Sequence, residues 1–443
     1  MRTRILVAAL VCLLASGSLS SLPALCAAKP AAFLSQQHLP GGMQGQSGIA
    51  LDLNGDGLED LVVGAPYAQH QGAIGALLVY PATPQGFVTR PSVLWDGDGN
   101  LGWSLAVLGD LDGKGKAAFA ASALSGGSGE VSRCGTVTIY HGGNKLRKLA
   151  VLSGENAMDK FGYALAVGDL NGDGIPDLIV GAPFHAPSPA FYQQGAVYIF
   201  FGPAYDPAQA VKIPASAFHG GIGFSLATGD INGDGIDDLL LGASGKVAVY
   251  YGTRGSFVPN PGGPDTIFKS ADAGFGRSIA VLGDLNGDGF KDVAVGAPQA
   301  TVNEVIDSGR LFIFKGGVGK RTVNGDAPTA DLLAKIDGEP NSGRFASTIL
   351  PVGDQDGDGV PDLAVSAVHA DGNPWPVTGK IFLFSGGALT STAAVATARA
   401  FPGDARDMHL GSFLALVAKG TRLAAGAPTE NANIGKVRLY NLR

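Results

Sequence analysis

The stretch Asp169-Leu170-Asn171-Gly172-Asp173-Gly174-Ile175-Pro176-Asp177 decides how this chain is read. Oxygen-bearing side chains stand at loop positions 1, 3, 5 and 9, and glycines at 4 and 6 let the backbone fold back on itself. Alternate side chains then turn towards one point, where carboxylates repel one another unless a cation lies between them. Carboxylate, amide and carbonyl oxygens suit a hard ion of flexible coordination, which means calcium. Asn, Asp and Gly also serve in ordinary turns, so repetition carries the weight. The pattern recurs at Asp52, Asn54, Asp56 and Asp60; at Asp230, Asn232, Asp234 and Asp238; at Asp284, Asn286, Asp288 and Asp292; and at Asp354, Asp356, Asp358 and Asp362. The carbonyls at position 7, of Leu58, Ile175, Ile236, Phe290 and Val360, complete the expected ligand sets. About five calcium ions are therefore expected.

An EF-hand shares the opening of this loop but needs a bidentate Glu at position 12 and a helix beyond. Position 12 here is Val63, Val180, Leu241, Val295 or Val365, each inside a strand-like run. Loops this acidic repel themselves when empty, so ion binding becomes folding energy. A sixth copy, Asp110-Leu111-Asp112-Gly113-Lys114-Gly115-Lys116-Ala117-Ala118, has lysine at position 5 and alanine at 9. Its ammonium is expected to replace the cation. Near the C-terminus, Val417-Ala418-Lys419-Gly420-Thr421-Arg422 has no ligand set. Asp96-Gly97-Asp98-Gly99-Asn100 lacks the last acid and reads as a polar turn.

Each loop is followed by a short apolar run and a small-residue corner: Gly64-Ala65-Pro66, Gly181-Ala182-Pro183, Gly242-Ala243-Ser244, Gly296-Ala297-Pro298 and Gly426-Ala427-Pro428, with weaker copies at Ala121-Ser122-Ala123 and Ser366-Ala367-Val368. The spacing fits a four-stranded repeat unit. Each unit reads as a first strand before the loop, such as Phe161–Val167, and a second after it. A third follows, such as Gly195–Phe200, then a shorter fourth. The expectation is an all-β, seven-bladed β-propeller of four-stranded antiparallel blades. The last unit ends after its third strand, and an orphan run, Ala31–Gln37, lies near the start. Pairing of these N- and C-terminal strands would close the ring without a free edge.

Composition agrees. Glycine is abundant, at 68 residues without a three-residue period, and charged residues are only 16% of the chain. This favours short strands and tight turns. The formal charge of −7 is largely ligand charge. No basic run suggests nucleic acid. Residues 1–28 read as a signal peptide: Arg2 and Arg4 precede the apolar run Ile5–Leu14, and small residues end near Ala27. Residues 29–443 are then the propeller domain, with no membrane segment after cleavage and a periplasmic or extracellular location. Cys134 would be left without a disulfide partner and reads as a small buried side chain.

A Phe-Gly strand, a D-x-[ND]-G-D-G-x-x-D loop and a Gly-Ala-Pro corner, repeated along the chain, resemble the FG-GAP repeats of the integrin alpha-subunit propeller. Phe161-Gly162 and Phe275-Gly276 keep the name-giving pair, and Phe345-Ala346 stands in for it further on. The resemblance implies a seven-bladed propeller, calcium in the hairpin loops of one face, and adhesion or ligand binding on the other. Inserted adhesion domain, stalk, membrane helix and disulfides are not seen. The chain is therefore similar to a free-standing, bacterial-type propeller, expected to be monomeric.

If the acidic loops join first and second strands, the connections from second to third strand open on the opposite face. Those connections carry Tyr67, His70, Phe184, His185, Phe191, Tyr192, His369 and Trp375, the expected ligand-binding residues. The partner class is an extracellular or envelope protein or glycan. A hydrolase or lyase and a passive envelope scaffold are the alternatives. Against catalysis, the seven histidines are scattered, and neither HExxH nor GxSxG occurs.

Overall fold

The computed structural model describes residues 32–34, 42–95, 99–127, 133–143, 145–186, 194–214, 221–260, 263–370, 377–389, 398–403, 409–429 and 435–442. The proposed leader, and the expected turn and binding residues Asp96, Asp98, Phe191, Tyr192 and Trp375, lie outside them.

The second strand of each unit is the most apolar run and is buried throughout, as in Asp177–Ala182 and Asp238–Ala243. It lies between the first and third strands of its own sheet. Thus Asp177–Ala182 pairs antiparallel with Leu165–Gly168 and with Ala196–Phe200, and Val211–Pro214 completes that sheet. The same meander is made by Ser278–Val281, Val293–Ala297, Arg310–Phe314 and Leu332–Asp337, and by Phe345–Gly353, Asp362–Ala367, Lys380–Phe384 and Arg399–Pro402. Leu226–Gly229, Asp238–Ala243, Lys246–Tyr250 and Thr266–Lys269 form a sheet widened to five strands by the parallel strand Arg321–Asn324. At the seam, Ala32–Leu34 pairs antiparallel with Lys436–Asn441, beside Arg422–Ala427 and Leu414–Val417. The two ends of the described chain thus share one sheet.

The architecture is an all-β propeller arrangement, with one correction to the expected blade count. Five sheets of four or five strands stand as separate blades, not seven. Ser47–Leu51, Asp60–His70, Ala73–Tyr80 and Ser92–Trp95 run together with the four strands from Leu101 to Ser153 into one eight-stranded sheet, through a parallel pairing of Gly75 with Leu101. In this unit Asp60–His70 and Ala73–Tyr80 keep pairing beyond the corner, so Gly75 lies inside a strand where it meets Leu101; the like contacts of Gly309 with Phe345 and of Gly435 with Gln44 fall before the third strand begins and leave those sheets separate. A Cβ on Gly75 would lie 2.1 Å from the Leu101 nitrogen, so glycine alone lets the two backbones pair there.

The small-residue corners have a similar cause. A Cβ on Gly181 would lie 2.2 Å from the carbonyl oxygen of Gly223 in the next sheet, and Gly223 itself has φ +92°. The corner of one sheet therefore packs directly on the Ile222-Gly223 turn of the next, the counterpart of Phe275-Gly276, which meets Gly242 in the same way. Between the sheets lie continuous apolar clusters. One joins Ile179, Val197 and Ile213 to Ile222, Leu241 and Tyr250. Another joins Leu34, Leu61 and Leu78 to Phe413, Val437 and Leu439 across the seam. Phe161, Phe275 and Phe345 are fully buried in these layers. Among the described residues no helix is long and apolar enough to cross a membrane.

Candidate metal sites and binding face

The acidic loops share one internal construction. The first carboxylate caps the turn: Asp169 accepts from the Gly174 N–H at 2.7 Å, and Asp52, Asp230, Asp284 and Asp354 accept from Gly57, Gly235, Gly289 and Gly359 at 2.7 to 2.9 Å. The fifth position accepts from the N–H of the seventh, at 2.8 to 3.1 Å for the pairs Asp56–Leu58, Asp173–Ile175, Asp234–Ile236, Asp288–Phe290 and Asp358–Val360. These bonds hold alternate side chains on the inside of the turn, as their spacing predicts.

The ninth position does a different job. Asp60, Asp177, Asp238, Asp292 and Asp362 are buried at the start of the second strand. One oxygen of each accepts from the second loop residue, as from Leu170 at 3.0 Å and Ile231 at 2.8 Å. The other accepts from the backbone after the third strand, as from Gly202 at 3.1 Å and Gly252 at 2.9 Å. This acid ties the loop to the far hairpin. Burial pushes the carboxyl pKa up, to about 6 for Asp177 and Asp292 and about 7 for Asp238. The backbone N–H groups oppose the rise, and the neighbouring loop carboxylates add to it. Asp60 and Asp362 are raised for the same first reason.

The donor set fits a divalent cation. Oxygens of Asp354, Asp356 and Asp362 lie within 4.8 Å of one another. In three other loops the third residue is turned otherwise. Asn54, Asn171 and Asn232 direct Nδ2 to the oxygen of Asp56, Asp173 and Asp234 at 3.0 to 3.1 Å, while Oδ1 accepts the N–H of that same acid. There the amide group supplies the positive end of a dipole to the acid. Asn286 instead reaches Asp292, at 3.2 Å.

The loops also touch their neighbours. Ile236 lies over Gly172, where a Cβ would meet it at 3.2 Å, and Phe290 lies over Gly233 in the same way. The Asp169 carbonyl accepts from Asp237 N–H, and the Asp237 carboxylate accepts from Asp169 N–H at 3.0 Å. In the sixth copy Asp110 accepts from Gly115 N–H at 2.6 Å, so the turn survives the loss of two acids. Lys114 Nζ lies 3.0 Å from Asp112 Oδ2 and holds that carboxyl down at about 2.

First strands begin, and second strands end, at the edge away from these loops. There the residue following the Phe-Gly pair, or its substitute, recurs as Trp103, Tyr163, Phe224 and Arg277, all wholly or partly exposed. Trp103 meets Tyr163 at 5.5 Å, Tyr163 meets Phe224 at 5.3 Å, and the Arg277 guanidinium lies 4.4 Å over the Phe224 ring. Phe184 packs edge-on to both Tyr163 and Phe224. Tyr67, 40% exposed, and Lys160 border a cavity of about 200 Å³ beside Trp103. Tyr67 and Phe184 thus join one aromatic surface.

The other expected residues divide. His70 stacks on Trp95 at 5.1 Å. His185 is 3% exposed and its Nδ1 lies 2.9 Å from Asp159, so it faces the interior rather than solvent. His369 packs on His409 at 4.9 Å; burial, Arg344 and His409 bring its pKa down to about 4. Sequence reading missed Trp103, Tyr163, Phe224 and Arg277. Their signal was the fixed place after the Phe-Gly pair in four successive units.

The FG-GAP repeat family matches residues 45–77 and 161–200, and the FG-GAP-like repeat matches residues 194–295. The chain is 35% identical over 171 residues to integrin alpha-PS5 of Drosophila melanogaster, covering 36% of this chain and 17% of that protein. It is 36% identical over 165 residues to integrin alpha-7 of Homo sapiens, covering 33% and 13%. It is 32% identical over 226 residues to integrin alpha-5 of Xenopus laevis, covering 48% and 20%. In each case the matched part is a fifth or less of the relative's length.

Proposed function

We propose, from the premise that this is an FG-GAP-repeat chain similar to integrin alpha subunits, that it is an exported, calcium-braced interaction module that binds a protein or glycan. The observation that carries the binding reading is the contiguous row Trp103, Tyr163, Phe184, Phe224 and Arg277 at the edge away from the acidic loops. Exposed aromatic rings on a rigid frame offer a large contact area at small entropic cost, and an arginine among them adds a directional polar contact. Sugar faces and protein side chains both suit such a surface. Residues 1–28 direct export in this reading, and residues 29–443 form the binding domain.

Calcium belongs to the opposite edge. Asp52, Asp56 and Asp60, and their counterparts in the other four intact loops, would hold one ion each. The asparagine at position 3, where present, would turn its oxygen inward, and the position-7 carbonyl would contribute. The ion's chemistry is charge neutralisation. The chain supplies the turn, the buried position-9 acid and the backbone bonds that pass the constraint to the next hairpin.

The test is a glycan array and a pull-down from envelope extract, run on the calcium-loaded wild type and on the double variant Trp103→Ala, Tyr163→Ala. Partners captured by the wild type should be lost by the variant while its melting temperature stays close to the wild type. Partners retained in full by a folded variant would contradict the assignment of this face.

A further inference from the structure

The sixth loop has lost its acids at positions 5 and 9, and a histidine has moved into the space. His141 closes the third strand of that unit, Thr136–His141, and is only 8% exposed. Its Nδ1 lies 2.7 Å from the Gly142 carbonyl oxygen. A carbonyl can only accept, so Nδ1 carries the proton, and in the neutral ring Nε2 presents a lone pair. Asp112 Oδ2 lies 3.3 Å from Nε2. Nε2 is shielded from solvent and has no hydrogen-bond partner among the described residues.

Two lone pairs so placed repel unless a cation joins them. The 3.3 Å separation leaves room for one shared tetrahedral ion, since bonds of about 2.0–2.1 Å place neighbouring ligands about 3.3 Å apart. A histidine fixed through Nδ1 to a backbone carbonyl, with Nε2 free, also has the orientation of a metal ligand.

We propose that the sixth loop is a site for one zinc-class transition ion, taken by His141 Nε2 and Asp112 Oδ2, with water completing the coordination. Replacing carboxylates by an imidazole moves the donor set from hard to borderline, which turns the loop from calcium towards zinc. Lys114 is its resident counter-charge. Its ammonium lies 3.0 Å from the same Asp112 oxygen, and its side chain is 74% exposed, so it can swing out when the metal enters. The loop lies against the first acidic loop: Ala117 N–H donates to the Asp52 carbonyl at 2.9 Å, and Gly55 packs on the Gly115 carbonyl. An ion here would brace the two units that share the eight-stranded sheet.

The test is calorimetric titration of zinc chloride into the full chain in excess calcium, with cobalt absorption as a second readout. Calcium in the buffer keeps the acidic loops out of the competition, so the result is independent of the calcium reading. One zinc equivalent is expected. His141→Gln and Asp112→Asn should each weaken it by at least about tenfold. Lys114→Met should tighten it, and the cobalt band should vanish in His141→Gln. Asp112 lies at the surface, so its variant stays informative if the buried histidine variant is poorly folded. No zinc heat in wild type or Lys114→Met would overturn the proposal, as would binding that Asp112→Asn leaves unchanged.

Discussion

At the scale of single residues, the acids of one loop divide the work. Asp238 is buried and accepts from Ile231 and Gly252, whereas Asp173 is exposed and its backbone contacts are confined to its own loop. Asp238→Ala should therefore cost about 2–5 kcal/mol even in chelator, because it strands two buried N–H groups. Asp173→Asn should leave the chelator melt unchanged and lower the calcium-loaded melt, which paired thermal scans would show. His369 gives the pH dependence. Its pKa of about 4 in the fold lies below the ordinary 6.5, so the unfolded chain takes up a proton between those values that the folded chain refuses. Its contribution is complete above about pH 6.5 and is lost as pH falls towards 4. In saturating calcium, His369→Asn should lose part of the stability drop between pH 7 and pH 5. An unchanged pH profile would contradict this.

At the scale of elements, the Phe-Gly turn and the Gly-Ala corner form one joint seen from two sides. Phe275 is buried against Phe312 and Phe314, and Gly276 meets the corner at Gly242. Phe275→Ala should destabilise the chain by about 3–5 kcal/mol in chemical denaturation, whether or not calcium is present. Much of this level was legible beforehand. Loop spacing predicts the inward carboxylates, and apolar runs bounded by glycine predict the strands. His141 was not legible, because it comes from a strand some thirty residues beyond the loop it enters. The merging of the first two units was also hidden. It depends on how far the hairpin of Asp60–His70 with Ala73–Tyr80 runs on, which carries Gly75 into a strand, and residue spacing does not say where a hairpin ends.

At the scale of the whole molecule, the acidic loops lie at one edge and the aromatic row at the other, so the proposed function assigns bracing and recognition to different edges. Loops that carry the acids pack on one another, through Ile236 over Gly172 and Phe290 over Gly233, so an ion bound in one loop would also stiffen the next. The aromatic row at the other edge became visible only when successive units were stacked. Trp103, Tyr163, Phe224 and Arg277 share a place in the repeat but are 53 to 61 residues apart in the chain. His185, by contrast, sits in an expected connection yet turns inward to Asp159, a choice no spacing rule foretells. The central claim is that calcium holds this propeller together. Its most direct test is thermal melting of the full chain in calcium and in chelator at one pH. Each loop saturated at a hundred times its dissociation constant would add about 2.7 kcal/mol, so calcium should raise the melting temperature by many degrees. A melt that is the same in calcium and in chelator would contradict the account.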